Sequence, residues 1–329
     1  MMNRNIRTGL VVPLILTWCF GCTLPSQNEL PPFPAGYIDS AYVVPDGSAI
    51  YFLHSVVSTL QILTEDQSAR PVTAHLPGHH GKSGPYWWNS DLYVSLKNPD
   101  GTWSHPQNLG PIVNSEHMES SPWTNDEQTV LIFSRWSVTE SALSGTFISR
   151  RNSKGEPWGA LEKLPGELGM YEETGYTDFH LVPSGNLYFW RDEGKGALYW
   201  AQSIGPNQWA PAELMPEAFQ SDVRDSQPWV NDAETRFCFS RLDDDANATL
   251  LCATRESASA EWGTPAAVQV TGFADANHYH VWAEPSFTKD GTMFFVRFDT
   301  SVPAWKAEIL MSVPQRDGSF GAPQRLVFK

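Results

Sequence analysis

Acidic and basic side chains recur at matched places along this chain. Each of five predicted strands has an acidic residue beside it, and the strand that follows ends in a basic residue. The acidic residues are Asp39, Glu119, Asp178, Asp225 and Glu284, and the basic residues are His54, Arg135, Arg191, Arg241 and Arg297. Carboxylates crowded at one place raise the pKa of at least one of them, which provides a general acid beside an ionised partner. The five acids are therefore candidate catalytic residues, and Asp39 with the five basic residues are candidate ligand contacts.

A structural role explains the same pattern. The midpoint of each acid–base pair falls on a turn, so each pair is predicted to face across the open end of one hairpin. One carboxylate–guanidinium clip per hairpin would fix the strand register and satisfy both charges. A third interpretation places a hard cation such as Ca²⁺ among the carboxylate oxygens. No other cofactor is expected.

The elements that position these residues repeat along the chain. Each unit has a strand, a turn such as Pro45-Asp46-Gly47, further strands, and a closing motif such as Trp209-Ala-Pro211-Ala-Glu-Leu214. The closing motifs recur every 51 to 58 residues, the length of one four-stranded sheet. This periodicity predicts an all-β protein, a single β-propeller of five four-stranded blades over residues 36–329, in preference to six blades. Because first strands line the axis of a propeller, the five acids are predicted to ring one mouth of its channel.

One segment does not fit the repeat. Residues 55–90 stand between the second and third predicted strands of the first blade, without the turn or the closing motif of a blade. Long irregular insertions are more often functional than idle, so His79, His80, Trp87 and Trp88 join the candidate ligand contacts. The tryptophans suit stacking on a sugar ring or an aromatic side chain, or simply packing onto the blade. The histidines have no recognised zinc spacing.

Several motifs carry a resemblance to a known family. They are Glu119-Ser-Ser-Pro122-Trp123-Thr-Asn-Asp126, Asp225-Ser-Gln-Pro228-Trp229-Val-Asn-Asp232, Asp91-Leu-Tyr-Val-Ser95 and Asp100-Gly-Thr-Trp103-Ser-His-Pro106-Gln-Asn-Leu109-Gly110. They resemble the WD40-like β-propeller repeat of the Tol-system propeller, and the last of them resembles exported bacterial members. The resemblance covers about residues 36–329 and implies a propeller in the bacterial envelope. The Tol-system propeller has six blades, whereas five are counted here.

The start of the chain predicts export. Arg4 and Arg7 precede a short apolar run, and Gly21 stands directly before Cys22. This arrangement predicts a signal peptide of lipoprotein type over residues 1–21, lipidation of Cys22 and a tether over 22–35, with ordinary signal cleavage as the alternative. The expected location is the periplasmic face of an outer membrane or the cell surface, with the lipid as the only membrane contact.

Charge and cysteine content narrow the partners further. The net charge of −15 repels nucleic acid and anionic lipid headgroups, and a monomer is expected. Cys238 and Cys252 lie symmetrically about an acidic loop, in strands predicted to be adjacent. An exported compartment permits a disulfide between them, and two buried thiols are the equal alternative.

The functional hypothesis is an exported propeller that binds a glycan or peptide ligand, or another envelope protein, at an acidic central funnel. The alternative is a glycoside hydrolase or polysaccharide lyase that uses the funnel carboxylates. Five-bladed glycosidases acting on furanosides place three carboxylates in such a funnel, an analogy of fold only. Because Asp39 is paired with a histidine in place of arginine, the site is expected to centre on the first blade.

Overall fold

The computed structural model describes residues 37–55, 90–115, 117–137, 140–170, 175–191, 195–243, 248–272, 280–299 and 306–329. These residues form five four-stranded antiparallel sheets and one small hairpin, with three short 3₁₀ turns and no α-helix. Each sheet is a contiguous stretch of chain, so the sheets follow one another as the blades of a propeller. The predicted five-bladed fold is confirmed. No helix in the described ranges has the length and apolar character needed to cross a membrane.

Each blade begins with its innermost strand. The strands of the first two blades are β1 (Tyr37–Val43), β2 (Ala49–Ser55), β3 (Ser90–Leu96), β4 (Gln107–Asn108), β5 (Met118–Thr124), β6 (Val130–Trp136), β7 (Gly145–Arg150) and β8 (Glu162–Lys163). The third blade has β9 (Tyr176–Leu181), β10 (Leu187–Arg191), β11 (Ala197–Ala201) and β14 (Glu213–Leu214), with the small hairpin β12 (Ser203–Gly205) and β13 (Gln208–Trp209) inserted. The last two blades are β15 (Arg224–Val230), β16 (Arg236–Leu242), β17 (Ala248–Thr254), β18 (Ala266–Ala267), β19 (His280–Phe287), β20 (Met293–Asp299), β21 (Lys306–Ser312) and β22 (Gln324–Arg325). The 3₁₀ turns are Ser141–Leu143, Gly166–Gly169 and Glu217–Phe219.

The first strands line the axis of the ring. In order, β1, β5, β9, β15 and β19 each contact the next, and β19 contacts β1. A tight turn at the far end of each first strand leads into the second strand, as the turn motifs predict. In the first blade Gly47 occupies this turn with φ 71°, a backbone conformation that glycine adopts without a steric penalty. Every residue of β2 is buried, because the strand packs between neighbouring strands and on both faces against neighbouring blades.

The ring closes without exchanging a strand between its ends. The closing aromatic residue of the last blade, Phe320, forms a parallel bridge with Val270 of the preceding blade. The closing residue of the first blade, Trp103, forms the same kind of bridge with Phe328, which follows the last blade. The Lys329 amide donates to the Trp103 carbonyl at 2.9 Å. The junction between the last and first blades therefore repeats a contact seen within the ring.

Two further expectations concern the periphery of the ring. β2 ends at Ser55 and β3 begins at Ser90, and the residues of the predicted insertion between them lie outside the described part of the chain. Cys238 in β16 lies opposite Cys252 in β17, and the two form a disulfide with their Cα atoms 4.1 Å apart. Of the two alternatives for these cysteines, the bridged one is the one observed.

Candidate functional site

A β-bulge interrupts the first hairpin of every blade. The pairing register shifts within each first strand or its partner, and one residue of each first strand has a left-handed backbone. These five residues, called the bulge ring below, are Ser40 (φ 53°), Ser121 (φ 54°), Asp178 (φ 50°), Gln227 (φ 55°) and Glu284 (φ 58°). None is glycine, so each accepts an unfavourable backbone conformation. The same position in five blades carries five side chains to one place on the axis.

The bulge ring lies around a funnel near the axis, where the five first strands meet. The bulge-ring residue and the two residues after it in each first strand line this funnel, fifteen residues in all. The described residues leave about 50 Å³ free inside it. That volume holds a few water molecules or the tip of a ligand, but not a whole drug-sized molecule. A ligand would therefore insert one group and leave the rest above the mouth.

A second layer lies deeper in the funnel, two residues after the bulge ring in each strand. This inner ring consists of Tyr42, Trp123, His180, Trp229 and Ser286. The His180 ring stands between aromatic neighbours, with centroid distances of 5.7 Å to Tyr42, 5.8 Å to Trp123 and 6.2 Å to Trp229. Burial lowers the pKa of His180 to about 3, so its imidazole is neutral at physiological pH. The channel is thus filled below the mouth by mostly aromatic side chains.

Three carboxyl groups meet at the mouth, from the first, third and last blades. Burial, followed by the charges of Asp39 and Asp178, raises the pKa of Glu284 well above its usual range. A hydrogen bond with Asp39 adds to this effect, because it favours the protonated form of Glu284. The carboxyl of Glu284 also accepts hydrogen bonds from the Ala41 amide at 3.0 Å and from Nε2 of Gln227 at 3.1 Å. Glu284 thus contacts blades four and one from blade five, in surroundings that favour its protonated form.

The other two acids of this cluster have partners of their own. Asp39 Oδ2 accepts from the Tyr37 hydroxyl at 2.8 Å, and Asp39 Oδ1 accepts from the Ser40 amide at 2.7 Å. Asp178 Oδ2 accepts from the indole N–H of Trp190. These hydrogen bonds help to fix the positions of the two carboxyl groups beside Glu284.

Two of the five predicted acid–base clips are present. Glu119 lies opposite Arg135, with Nε to Oε1 at 2.8 Å, and Asp225 lies opposite Arg241, with Nε to Oδ1 at 2.7 Å. Arg241 Nη2 also donates to Asp225 Oδ2 at 3.0 Å, which makes that clip bidentate. Ser115 and Ser221 donate to the acids as well. These two acids are structural clips, and neither lines the funnel.

In the other three pairs the acidic and the basic residue are not directly opposite one another. His54, Arg191 and Arg297 lie opposite Ile38, Tyr176 and Trp282, in the same blade position as the two clipped arginines. In these blades the acid does not stand opposite the basic residue. Asp178 and Glu284 lie two residues after that position, at the bulge, and Asp39 lies one residue after it. Asp178 and Glu284 therefore line the funnel at the bulge, whereas Asp39 lies directly before the bulge residue Ser40 and outside the lining.

The three displaced basic residues have different surroundings. Arg297 forms an ion pair with Glu308 and lies 5.9 Å from the Trp282 ring centroid. His54 is fully buried and stands edge-on to Tyr93 at 5.9 Å. None of the five basic residues lines the funnel. The ligand contacts predicted in the insertion, which are His79, His80, Trp87 and Trp88, lie outside the described residues, and so does the predicted lipidation site Cys22.

The predicted calcium ion finds no ready site among the described residues, where no cluster of three or more His, Cys, Asp and Glu side chains has a metal-binding arrangement. At the opposite end of the channel, Lys289 forms an ion pair with Asp126. Burial and the charge of Asp126 raise the pKa of Asp232 there. At this end the ammonium group of Lys289 partly balances the acidic side chains.

Sequence reasoning missed the neutral members of the site. Ser40, Ser121, Gln227 and the inner ring were not among the candidates. A usable signal was present, because a proline follows the bulge position in three blades, at Pro122, Pro228 and Pro285. Alignment on that proline places Ser121, Gln227 and Glu284 at one position, whereas a search for acids alone mixes three positions.

No protein-family model matches the sequence, and no curated protein matches it. Solved structures do match. The catalytic domain of a GH62 α-L-arabinofuranosidase from Coprinopsis cinerea has a TM-score of 0.51 at 12% identity, covering 87% of this chain and 93% of that one. An α-L-arabinofuranosidase from Lactobacillus brevis has a TM-score of 0.51 at 11% identity, with 89% and 97% coverage. A putative TolB from Agrobacterium tumefaciens has a TM-score of 0.47 at 10% identity, with 89% and 81% coverage. Identities this low show a shared propeller fold and carry no activity across.

Proposed function

We propose that this protein is an exported, lipid-anchored binding module that takes one group of a glycan or peptide ligand into the funnel. The observation that supports it best is the meeting of Asp39, Asp178 and Glu284 at the mouth, where their proximity and burial raise the pKa of Glu284. Carboxyl oxygens accept hydrogen bonds, and the Ser40, Ser121 and Gln227 side chains of the bulge ring can also donate, so the mouth offers both kinds of polar contact. The small free volume favours a ligand that inserts a tip.

Binding is favoured over catalysis by the way Glu284 is held. Both of its carboxyl oxygens already accept hydrogen bonds, from Ala41 and Gln227, and it shares a hydrogen bond with Asp39. A general acid must release its proton to the ligand and take it back, and this network ties the proton to the fold instead.

A glycoside hydrolase is the second candidate, and one observation favours it. An acid with a raised pKa stands beside Asp39 and Asp178, which is the arrangement of an acid and its ionised partners. Turnover of a neutral polysaccharide that stops on Glu284→Gln substitution would establish this candidate over the binding module.

Export is supported by the bond between Cys238 and Cys252, since disulfides persist in oxidising compartments. Anchoring through Cys22 is tested by Cys22→Ala, which should release the protein from the membrane fraction. An unchanged membrane fraction after this substitution would contradict the anchor.

The binding site is tested on the full chain in detergent, with glycan and peptide arrays. Asp39→Asn and Asp178→Asn are expected to weaken capture of the ligand found on the arrays by about tenfold or more each, because each removes a charge at the mouth. Asp222→Asn is the matched control: it removes an exposed charge just before β15 that no described hydrogen bond uses. Equal capture by the two mouth variants and the control would refute the proposal.

A further inference from the structure

The inner ring holds polar groups that the fold does not satisfy. The indole N–H of Trp229 is buried and donates no hydrogen bond to a described residue, and the buried indole N–H of Trp123 has only the weakly placed Tyr42 hydroxyl beside it. His180 is 5% exposed, and burial is the one influence that shifts its pKa. These three side chains come from three neighbouring blades and line the same funnel. Buried polar groups in folded proteins nearly always have a partner, so this cluster calls for an occupant.

The cost of leaving these groups unpaired is substantial. Each buried donor or acceptor without a partner costs about 1–3 kcal/mol. Nothing about the scaffold demands polar residues here, because the equivalent aromatic packing could be made with phenylalanine. Three polar aromatic side chains at one depth therefore indicate a polar group, from water or from a ligand, at the base of the funnel.

Charge decides what kind of group fits. An anion would be repelled by Asp39 and Asp178 at the mouth. It would also be repelled from the other end of the channel by Asp126 and Asp232, whose charges act on Tyr42. A cation is not favoured at this depth either. The only cause that shifts His180 is burial, which opposes positive charge, and no carboxylate offsets it. A neutral group remains.

Hydrogen-bonding capacity narrows the choice further. Neutral His180 offers one donor and one acceptor nitrogen, and the two indoles offer donors only. A hydroxyl group matches this set, since it accepts two hydrogen bonds and donates one. The free volume of about 50 Å³ admits a hydroxyl or hydroxymethyl tip, but not a complete sugar ring.

We propose that the inner ring is a subsite for a hydroxyl group of a neutral carbohydrate or polyol, and that the ligand of the funnel is therefore a neutral glycan. This inference rests on the proposed binding function and selects between its two ligand classes. The hydroxyl enters past Asp178 and Glu284, accepts from indole N–H groups, and donates to the acceptor nitrogen of His180. The remaining hydroxyls of the ligand meet the bulge ring.

The test follows the indole N–H groups directly. Full-length protein labelled with ¹⁵N-tryptophan is titrated with glycerol, xylose and arabinose as neutral probes, and with ethylammonium and acetate as charged ones. The neutral probes are expected to shift the Trp229 and Trp123 indole resonances, and the charged probes are expected to leave them unchanged. Trp229→Phe keeps an aromatic ring and removes the N–H. This substitution is expected to lower the affinity for the neutral probes by about 3- to 10-fold, which corresponds to the loss of one hydrogen bond.

Trp158→Phe is the matched control. Trp158 is equally buried and its indole N–H is also without a partner, but it does not line the funnel. Its resonance should not move, and its substitution should not alter the titration. Because the shift is measured on the unaltered protein, the result does not depend on how well a variant folds.

The outcomes separate the two proposals. If Asp178→Asn abolishes ligand capture while no neutral probe moves Trp229, the binding function stands and the hydroxyl subsite is refuted. A response of Trp229 to ethylammonium or acetate alone also refutes the subsite. If neutral probes move Trp229 while Asp39→Asn and Asp178→Asn leave capture unchanged, the subsite stands and the acidic mouth has no part in binding.

Discussion

Asp39 and Glu284 form a hydrogen-bonded carboxyl pair across the junction between the first and last blades. On the same junction the Ala41 amide donates to Glu284, and the Val43 amide donates to Ser286 Oγ at 3.2 Å. The ligand mouth and the closure of the ring therefore depend on one another. A change in the protonation of Glu284 acts on both.

The first prediction concerns pH and Glu284→Gln. The pKa of Glu284 is raised in the folded protein, so its contribution to stability is present below its unfolded pKa and is lost as the pH rises through the folded value. Glutamine stays neutral at every pH and keeps an amide that can donate to Asp39. We expect the variant to gain stability relative to wild type as the pH rises above the unfolded pKa of about 4.3, until Glu284 loses its proton in the folded protein. Urea unfolding at a series of pH values above that point measures it, and a constant difference would show that Glu284 does not titrate as described.

The second prediction compares the two clips. Removing the acid leaves a charged guanidinium without its partner, at a cost of about 1–3 kcal/mol. Arg135 is 12% exposed and Arg241 is 29% exposed, so water compensates Arg241 more easily. Glu119→Gln should therefore destabilise more than Asp225→Asn. A double-mutant cycle on each pair should give a coupling above about 0.5 kcal/mol, and a coupling of zero would mean that the contact is not a clip.

The third prediction concerns the disulfide. Cys238 and Cys252 are separated by 14 residues, and a bridge that closes a loop of this size stabilises by about 3 kcal/mol through the unfolded state. A reducing agent should lower the unfolding midpoint of the wild type. It should not affect the variant with alanine at both positions. If the reducing agent lowers both midpoints equally, the loss comes from another source.

The fourth prediction concerns the left-handed backbone at the bulge ring. Ser121 has φ 54°, which costs an L-residue about 1–2 kcal/mol and costs glycine nothing. Ser121→Gly should therefore be neutral or stabilising by up to about 1 kcal/mol, even though it adds chain entropy. Ser120→Gly, one residue earlier in the same strand, should destabilise. The pair is compared by chemical unfolding, and the reverse order would contradict the assigned backbone.

The repeat of turns and closing tryptophans was enough to predict the number of blades and the hairpins, because each motif is local. The repeated spacing of acidic and basic residues also predicted the Glu119–Arg135 and Asp225–Arg241 clips. Direct pairing was not found for Asp39, Asp178 and Glu284, because these acids stand one or two residues beyond the position that faces the basic residue. The sequence shows an acid near the start of each hairpin, but the bulge makes the strand register too uncertain to say which position faces the partner strand.

At the bulge ring, the residues that face a ligand are distinct from the residues that pack the blades together. Its five positions share one backbone conformation but hold Ser, Ser, Asp, Gln and Glu, so the conformation does not dictate the side chain. The five side chains project toward the axis, away from the sheet-to-sheet packing that stabilises the blades. A new preference for a ligand could therefore arise by substitutions at single positions, one blade at a time, without rebuilding the fold. The identities of these five residues can therefore set which ligand is recognised while the backbone of the propeller stays the same.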